Sequence, residues 1–471
     1  MLFSSIPFLY YFLPAVLIVY FAVPKTLKNA VLLLSSLIFY GWGEPKYVVL
    51  MIATIAAFYF CGLGIGSAKS GKTKKIWLIA SIIIGIVLLT VFKYADFFLQ
   101  SFAAVTGLSI PLLKLALPIG ISFYTFQCMS YVVDVYRGDT AAQKDPIAFG
   151  AYVALFPQLI AGPIVRYVDV ARELESRTTT LDDAMAGIRR FLIGLGKKIL
   201  LANQLGLLTE LFRASDEKSV LFHWLYAAAF MLHIYFDFSG YSDMAIGLGR
   251  IFGFHFIENF NYPYLSKSVT EFWRRWHMSL GSWFRDYVYI PLGGNRVSRG
   301  RWVFNILVVW MLTGLWHGAS WNFVVWGLWF FVFLMIERFL LKKWLEKVPV
   351  ISNIYLLVVV LLGWVIFRFT DMRLALTVVK SLFGLNGNAL STFTAETLLK
   401  NNVVLLGVSI FASLPVMKIL RRKIEDALAG TGLMNAAWNV VFYSVIPVIL
   451  LLLSTASLVG DSYNPFIYFQ F

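Results

Sequence analysis

The sequence predicts an all-α, polytopic integral membrane protein, and three observations carry that prediction. Of 471 residues, 59% are hydrophobic and only 14% are charged, where a soluble domain carries about 25% charged residues. Apolar runs recur from end to end with short polar gaps, whereas a soluble chain of this length divides into domains with polar linkers. Runs such as IWLIASIIIGIVLL (76–89) are apolar on every side. A membrane β-barrel needs strands of roughly ten residues that alternate apolar and polar, so these runs read as helices.

Taken in order, the first segment, FLYYFLPAVLIVYFAV (8–23), lacks a basic n-region and a small-residue cleavage site. It reads as a retained span rather than a signal peptide. Further spans cover roughly 29–43 and 46–66, and the whole chain accommodates about eleven, in one integral domain without internal repeats. The part to about residue 115 is simple and lipophilic. The part from about 118 to 330 is rich in Gly, Tyr, Trp and intramembrane charge, which marks it as the functional core. From 354 onward simple spans return, separated by a loop GLNGNALSTFTAET (384–397).

Orientation follows from the basic loops, because Lys and Arg are retained on the cytoplasmic side. The gaps 24–28 and 67–75 hold Lys25, Lys28, Lys69, Lys72, Lys74 and Lys75 and no acid. That side is expected to be cytoplasmic, with Arg137, Lys144, Arg296, Arg299, Arg301, Lys342, Lys343 and the run KILRRK (418–423) beside it. Both termini then lie outside the cell. These anchors also account for the net charge of +15; spread over many short loops, they form no single patch for nucleic acid. Cys61 and Cys128 sit far apart in apolar runs, so neither a disulfide nor a metal site is expected.

The stretch VVWMLTGLWHGASWNFVVWGL (308–328) carries no Asp, Glu, Lys or Arg, yet holds His317 among four tryptophans, at 310, 316, 321 and 326. It lies within 35 residues, Trp302 to Ile336, that lack any such charge. As one helix that would be about 52 Å long, against a hydrocarbon core of about 30 Å. The segment is therefore expected to turn back near its polar centre, Thr313 to Asn322, where Gly314 and Gly318 interrupt the pattern. Irregular backbone at that depth must be buried in protein or line a cavity. His317 has two readings: a packing histidine bonded between helices, or a general base in a water-accessible tunnel.

A second cluster, TEFWRRWHMSLGSWFRDYVYIPLGGNR (270–296), places His277 among Trp273, Trp276, Phe284 and Tyr287. Read as one helix, it puts Arg274, Gly281 and Arg285 on the histidine's face. The arginines are either snorkelling anchors of an interfacial helix or a cradle for an anionic donor. Upstream, HIYFDFSGYSDMAIGLG (233–249) places His233, Asp237 and Tyr241 on one helical face, with Asp243 off it. Buried carboxylates must be paired or hydrogen-bonded. Asp237, Tyr241, Asp243 and, after the turn, Asn322 are thus either a structural network or a shell that orients a catalytic histidine. Gly-Leu-Gly-Lys at 194–197 lacks the context of a phosphate loop, and neither a Gly-x-Ser-x-Gly elbow nor a His-Glu-x-x-His motif occurs.

These blocks resemble the membrane-bound O-acyltransferase family: WHGASWNFVVWG (316–327), EFWRRWHMSLGSWFRDYVYIPLGGNR (271–296), YFDFSGYSDMAIGLGRIFGF (235–254), PQLIAGPIVRY (157–167), GISFYTFQCMSYVVDVYRG (120–138) and the terminal YNPFIYFQF (463–471). The chain looks most like bacterial members that O-acetylate alginate, other secreted polysaccharides or peptidoglycan, with a teichoic-acid D-alanylating branch beside them. The resemblance implies a helical bundle around a central funnel with a thin floor, where a thioester donor and a hydroxyl acceptor meet from opposite sides. It makes His317 the central histidine and His277 the second one.

The chemistry that follows is acyl transfer. A thioester is activated, but an alcohol near neutral pH is a poor nucleophile, so a neutral His317 would take the hydroxyl proton as the acyl carbon is attacked. His277 would position the donor or steady the developing oxyanion. The resemblance further implies acetyl-CoA as donor substrate with no permanently bound cofactor, a polysaccharide acceptor, an extracytoplasmic partner of the SGNH-hydrolase type and a bacterial cytoplasmic-membrane location. Two alternatives stay open: a D-alanyl transferase served by an acyl-carrier protein, and a proton-coupled transporter or flippase using the histidines as a relay.

Overall fold

The computed structural model describes residues 1–160, 162–460 and 463–467. Among them helices dominate, and extended pairing is confined to one isolated antiparallel bridge between Phe260 and Trp276. Among the described residues eight helices are long and apolar enough to cross a membrane: Tyr47–Ser67, Gly71–Thr106, Leu181–Ala214, Val220–Ile251, Trp321–Leu345, Pro349–Arg368, Phe393–Ala412 and Gly432–Gly460. The expected early spans at 8–23 and 29–43 form the shorter helical segments Phe8–Ala22 and Lys28–Gly43.

Two compact units make up the chain. The first comprises Met1–Phe191 with Met244–Ile257 and Arg285–Tyr287. Its core holds a cluster of phenylalanines, in which the Phe3 ring lies 4.9 Å from Phe8, 5.7 Å from Phe39 and 6.3 Å from Phe156. Such offset and edge contacts add to the burial of the rings themselves. The Tyr20 hydroxyl donates to the Phe252 carbonyl at 2.7 Å, while Arg177 Nε donates to the same hydroxyl at 2.9 Å. Arg166 forms a polar knot, reaching Asp169 and Asp286 at 2.8 Å each.

The second unit comprises Leu192–Asp243, Glu258–Phe284 and the chain from Val288 onward. At its centre stands a helical hairpin, Arg299–His317 and Trp321–Ile336. The turn is Gly318–Ser320, inside the stretch that the length argument marks out. The two helices approach as closely as small residues allow: a Cβ on Gly314 would stand 2.3 Å from the Phe323 carbonyl oxygen, and one on Gly327 would stand 2.4 Å from that of Trp310. Close backbone approach through glycine is the usual route to tight packing between apolar helices. The hairpin is held to the Pro349–Arg368 helix by Trp329 Nε1, which donates to the Val359 carbonyl at 3.0 Å. Glu337, just past the hairpin, is buried and accepts from the Val269 and Thr270 amides, capping the short helix Val269–Trp273. A free helix N-terminus leaves such amides unsatisfied, so this carboxylate ties two distant segments together.

Candidate active site

His317 is the last residue of the Arg299–His317 helix and is only 7% exposed. Aromatic rings enclose it: Trp316 at 5.1 Å, Trp326 at 4.9 Å and Phe367 at 5.2 Å, all edge-on. Of the four tryptophans near it in sequence, Trp310, Trp316 and Trp326 are buried, whereas Trp321 is exposed. Asn322 fixes the wall behind the histidine. Its Nδ2 donates to the Phe367 carbonyl at 2.9 Å and to that of Ile366 at 3.4 Å, locking the end of the Pro349–Arg368 helix where Phe367 meets the imidazole. Asn322 thus holds the backbone that carries Phe367, whose ring packs on His317.

His277 lies in the same unit and shares Trp316 with His317; its ring is 5.5 Å from that indole. Phe238 packs edge-on against it at 4.7 Å. The expected helix carrying His277 together with Trp273, Trp276, Phe284 and Tyr287 is corrected here. A short helix, Val269–Trp273, ends before the histidine, and a second, Met278–Phe284, begins after it. His277 itself has φ +45°, in the left-handed region, which costs energy for a non-glycine residue and persists only when its surroundings impose it. What imposes it is the bridge between Phe260 and Trp276, with the Asn261 amide donating to the Arg275 carbonyl at 2.9 Å and the Met278 amide to the Asn259 carbonyl at 3.0 Å. Helical spacing around His277 consequently no longer describes a face. Arg274 is exposed, and Arg285 opens a separate helical segment, Arg285–Tyr289, where it pairs with Asp286 at 2.7 Å.

The third cluster keeps its helical face, because Val220–Ile251 is continuous. Its carboxylates, however, are used by lysines. Asp237 lies 2.6 Å from Lys198 Nζ, and both side chains are about 1% exposed. The same carboxylate accepts from the Ile467 amide at 2.8 Å. Lys198 also donates to the Asn203 side chain and to the Pro465 carbonyl, while Asn203 Nδ2 donates to the Tyr463 carbonyl at 3.1 Å. Tyr241 packs against Phe466 at 4.8 Å. Asp243 pairs with Lys197 at 2.6 Å. Of the two readings of these acids, the geometry is that of a structural network, and its cargo is the backbone of residues 463–467. Lys198 and Phe367 are the participants that sequence reading passed over. Lys198 left a signal, a second lysine in the apolar run KKILLA; Phe367 left none. No group of three or more His, Cys, Asp or Glu residues that could hold a metal occurs among the described residues.

Two buried histidines share Trp316, one of them at the end of a hairpin helix, and comparison with known sequences gives the class of protein. The sequence model of the membrane-bound O-acyltransferase family matches residues 121–370, and the chain belongs to that family. Among relatives, it is 40% identical to the probable alginate O-acetylase AlgI of Azotobacter vinelandii over the full length of both chains. It is 33% identical to the peptidoglycan O-acetyltransferase of Helicobacter pylori, over 84% of this chain and 82% of the relative. The teichoic acid D-alanyltransferase of Bacillus subtilis is 30% identical, over 49% of this chain and 60% of the relative. The chain is an acyltransferase of that family, built on membrane-spanning helices.

Proposed function

We propose that this protein moves an acetyl group from cytoplasmic acetyl-CoA to a hydroxyl acceptor, for O-acetylation of a secreted or cell-wall polysaccharide, with His317 as the general base. The observation that carries the proposal is the setting of His317: an ionisable ring at a helix end, enclosed by Trp316, Trp326 and Phe367, with His277 against the same Trp316. A neutral imidazole can accept a proton. The acceptor oxygen attacks the acyl carbon, its proton passes to His317, the carbon–sulfur bond breaks, and the thiolate leaves and recovers a proton. Holding both reactants within about 3–3.5 Å is itself a large part of such catalysis. His277 assists by positioning the donor or bonding to the developing oxyanion.

The arrangement further proposed is a cytoplasmic-membrane protein with both termini outside, the thioester arriving from the cytoplasm and the acyl group handed to an SGNH-hydrolase-like partner. The basic loops support that orientation. The full-length likeness to the alginate relative favours acetyl-CoA over a carrier-borne D-alanyl group, since the D-alanyltransferase likeness covers about half of the chain.

The test is His317→Ala, assayed as acetyl transfer from labelled acetyl-CoA in vesicles of the host membrane, which retain the partner. Losing the general base costs about 10²–10⁴-fold, and the substitution adds no charge to the bilayer, so insertion is expected to survive. Transfer within twofold of the parent would remove His317 from the mechanism. Proton-coupled flux without a thioester would instead favour a transporter.

A further inference from the structure

The segment 258–261 was not among the sequence's candidate residues, yet it runs antiparallel to the histidine segment. With Phe260 paired to Trp276, Asn259 stands across from His277. The Met278 amide bond to the Asn259 carbonyl holds the two backbones side by side at that point. Asn259 is fully buried. Its backbone carbonyl accepts from the Met278 amide at 3.0 Å, and its Oδ1 accepts from the Ser279 amide at 3.2 Å and from the Ser279 hydroxyl at 2.9 Å. These bonds settle which way the carboxamide faces: the oxygen is committed to Ser279, so the amide nitrogen points elsewhere. Asn259 Nδ2 has no hydrogen-bond partner among the described residues, and neither does either ring nitrogen of His277.

Buried donors in folded proteins are nearly always satisfied, and leaving one bare costs roughly as much as a lost hydrogen bond. Here two neighbouring residues, both enclosed, keep polar atoms unpaired while their backbones are rigidly tied together. One of them, His277, is held in a strained conformation to be there. Strain and unsatisfied donors that persist together mark places where a ligand completes the bonding.

We propose that Asn259 is a further catalytic residue, whose Nδ2 donates a hydrogen bond to the carbonyl oxygen of the transferring acyl group, beside His277. The proposal rests on the acyl-transfer reading above. When the acceptor oxygen adds to the acyl carbon, the electron pair of the carbonyl moves onto its oxygen, and a pre-aimed amide donor stabilises that charge. It returns when the carbon–sulfur bond breaks, and Asn259 neither gains nor loses a proton. Ser279 is a positioning residue in this scheme, because it holds the carboxamide without touching the substrate.

The experiment compares Asn259→Asp with Ser279→Ala in vesicles of the host membrane, with labelled acetyl-CoA as donor and the parent run alongside. Asn259→Asp keeps an oxygen for Ser279 and removes the amide donor; Ser279→Ala loosens the clamp and keeps the donor. Removing one such donor lowers kcat by about 10²–10³-fold, so Asn259→Asp is expected to show that fall with a KM for acetyl-CoA near the parent's. Ser279→Ala is expected to lose far less, and the melting temperatures of both are expected to stay together. A kcat in Asn259→Asp no lower than in Ser279→Ala overturns the assignment, as does a loss that tracks a lowered melting temperature. If the parent itself transfers no label from acetyl-CoA, the acyl-transfer reading falls first; if the parent transfers label and Asn259→Asp is as active as Ser279→Ala, only the role of Asn259 falls.

Discussion

Gly314→Ala is a one-carbon test of the hairpin that carries His317. The new Cβ would stand 2.3 Å from the Phe323 carbonyl oxygen and 3.1 Å from its carbon, and ordinary contact begins at 3.4 Å. The obstacle is backbone in the first turn of the facing helix, so it cannot rotate away as a side chain would. The two helices must separate by about 1 Å, and His317, one turn further along the same helix, moves with them. Two effects on stability oppose each other. Overpacking costs about 1–3 kcal/mol, while replacing an interior helical glycine by alanine returns about 0.5–1 kcal/mol. The net loss of stability is therefore about 0–2.5 kcal/mol. The effect on transfer is larger, because a misplacement of about 1 Å at a reacting group costs about 10²-fold. Acetyl transfer is measured with labelled acetyl-CoA in host-membrane vesicles, and thermal melting on the purified protein. Gly407→Ala is the control, since nothing lies within 4 Å of its added carbon. Transfer by Gly314→Ala within twofold of the parent, with melting unchanged, would refute the reasoning that the hairpin contact sets the position of the base.

Asn322→Leu removes the bonds that hold the backbone at Ile366 and Phe367. It is expected to lower kcat by roughly tenfold through Phe367 while leaving the KM for acetyl-CoA in place, as steady-state kinetics would register. Lys198→Ala leaves Asp237 buried and unpaired, which costs about 3–5 kcal/mol, and is expected to lower the melting temperature markedly. Lys198→Met combined with Asp237→Leu should recover most of that stability while leaving residues 463–467 more open to amide hydrogen exchange, because their anchors are gone. Cysteines placed at Lys72 and Arg421 are expected to react only with a reagent added on the cytoplasmic side, and one at Ser462, outside the described residues, only from the opposite side. Labelling of positions 72 and 462 from the same face would break the proposed orientation.

Much of the architecture was legible before any coordinate, for a plain reason. In lipid the backbone must satisfy its own hydrogen bonds, so an apolar run of sufficient length has few options besides a helix. The 35 uncharged residues from Trp302 to Ile336 are too long for one crossing, and length alone required the turn found at Gly318–Ser320. His317 stood out because an ionisable ring in such a run is costly enough to need a purpose. The continuous Val220–Ile251 helix likewise kept His233, Asp237 and Tyr241 on the face that their spacing implied.

What depended on tertiary structure were the contacts between segments distant in sequence. Nothing local to His277 announces a break, since residues 270–280 are compatible with a helix. The Phe260–Trp276 bridge and the Asn259 carbonyl pull that segment out of helical geometry. Asp237 could not be matched to Lys198 and the Ile467 amide from spacing, because the latter lies 230 residues away. Phe367 meets His317 only because Asn322 fixes the end of another helix. Hydropathy and helical period are properties of neighbouring residues, so sequence carries them directly. The partners of a buried polar group are set by which helices pack together, and that is decided by the fold as a whole.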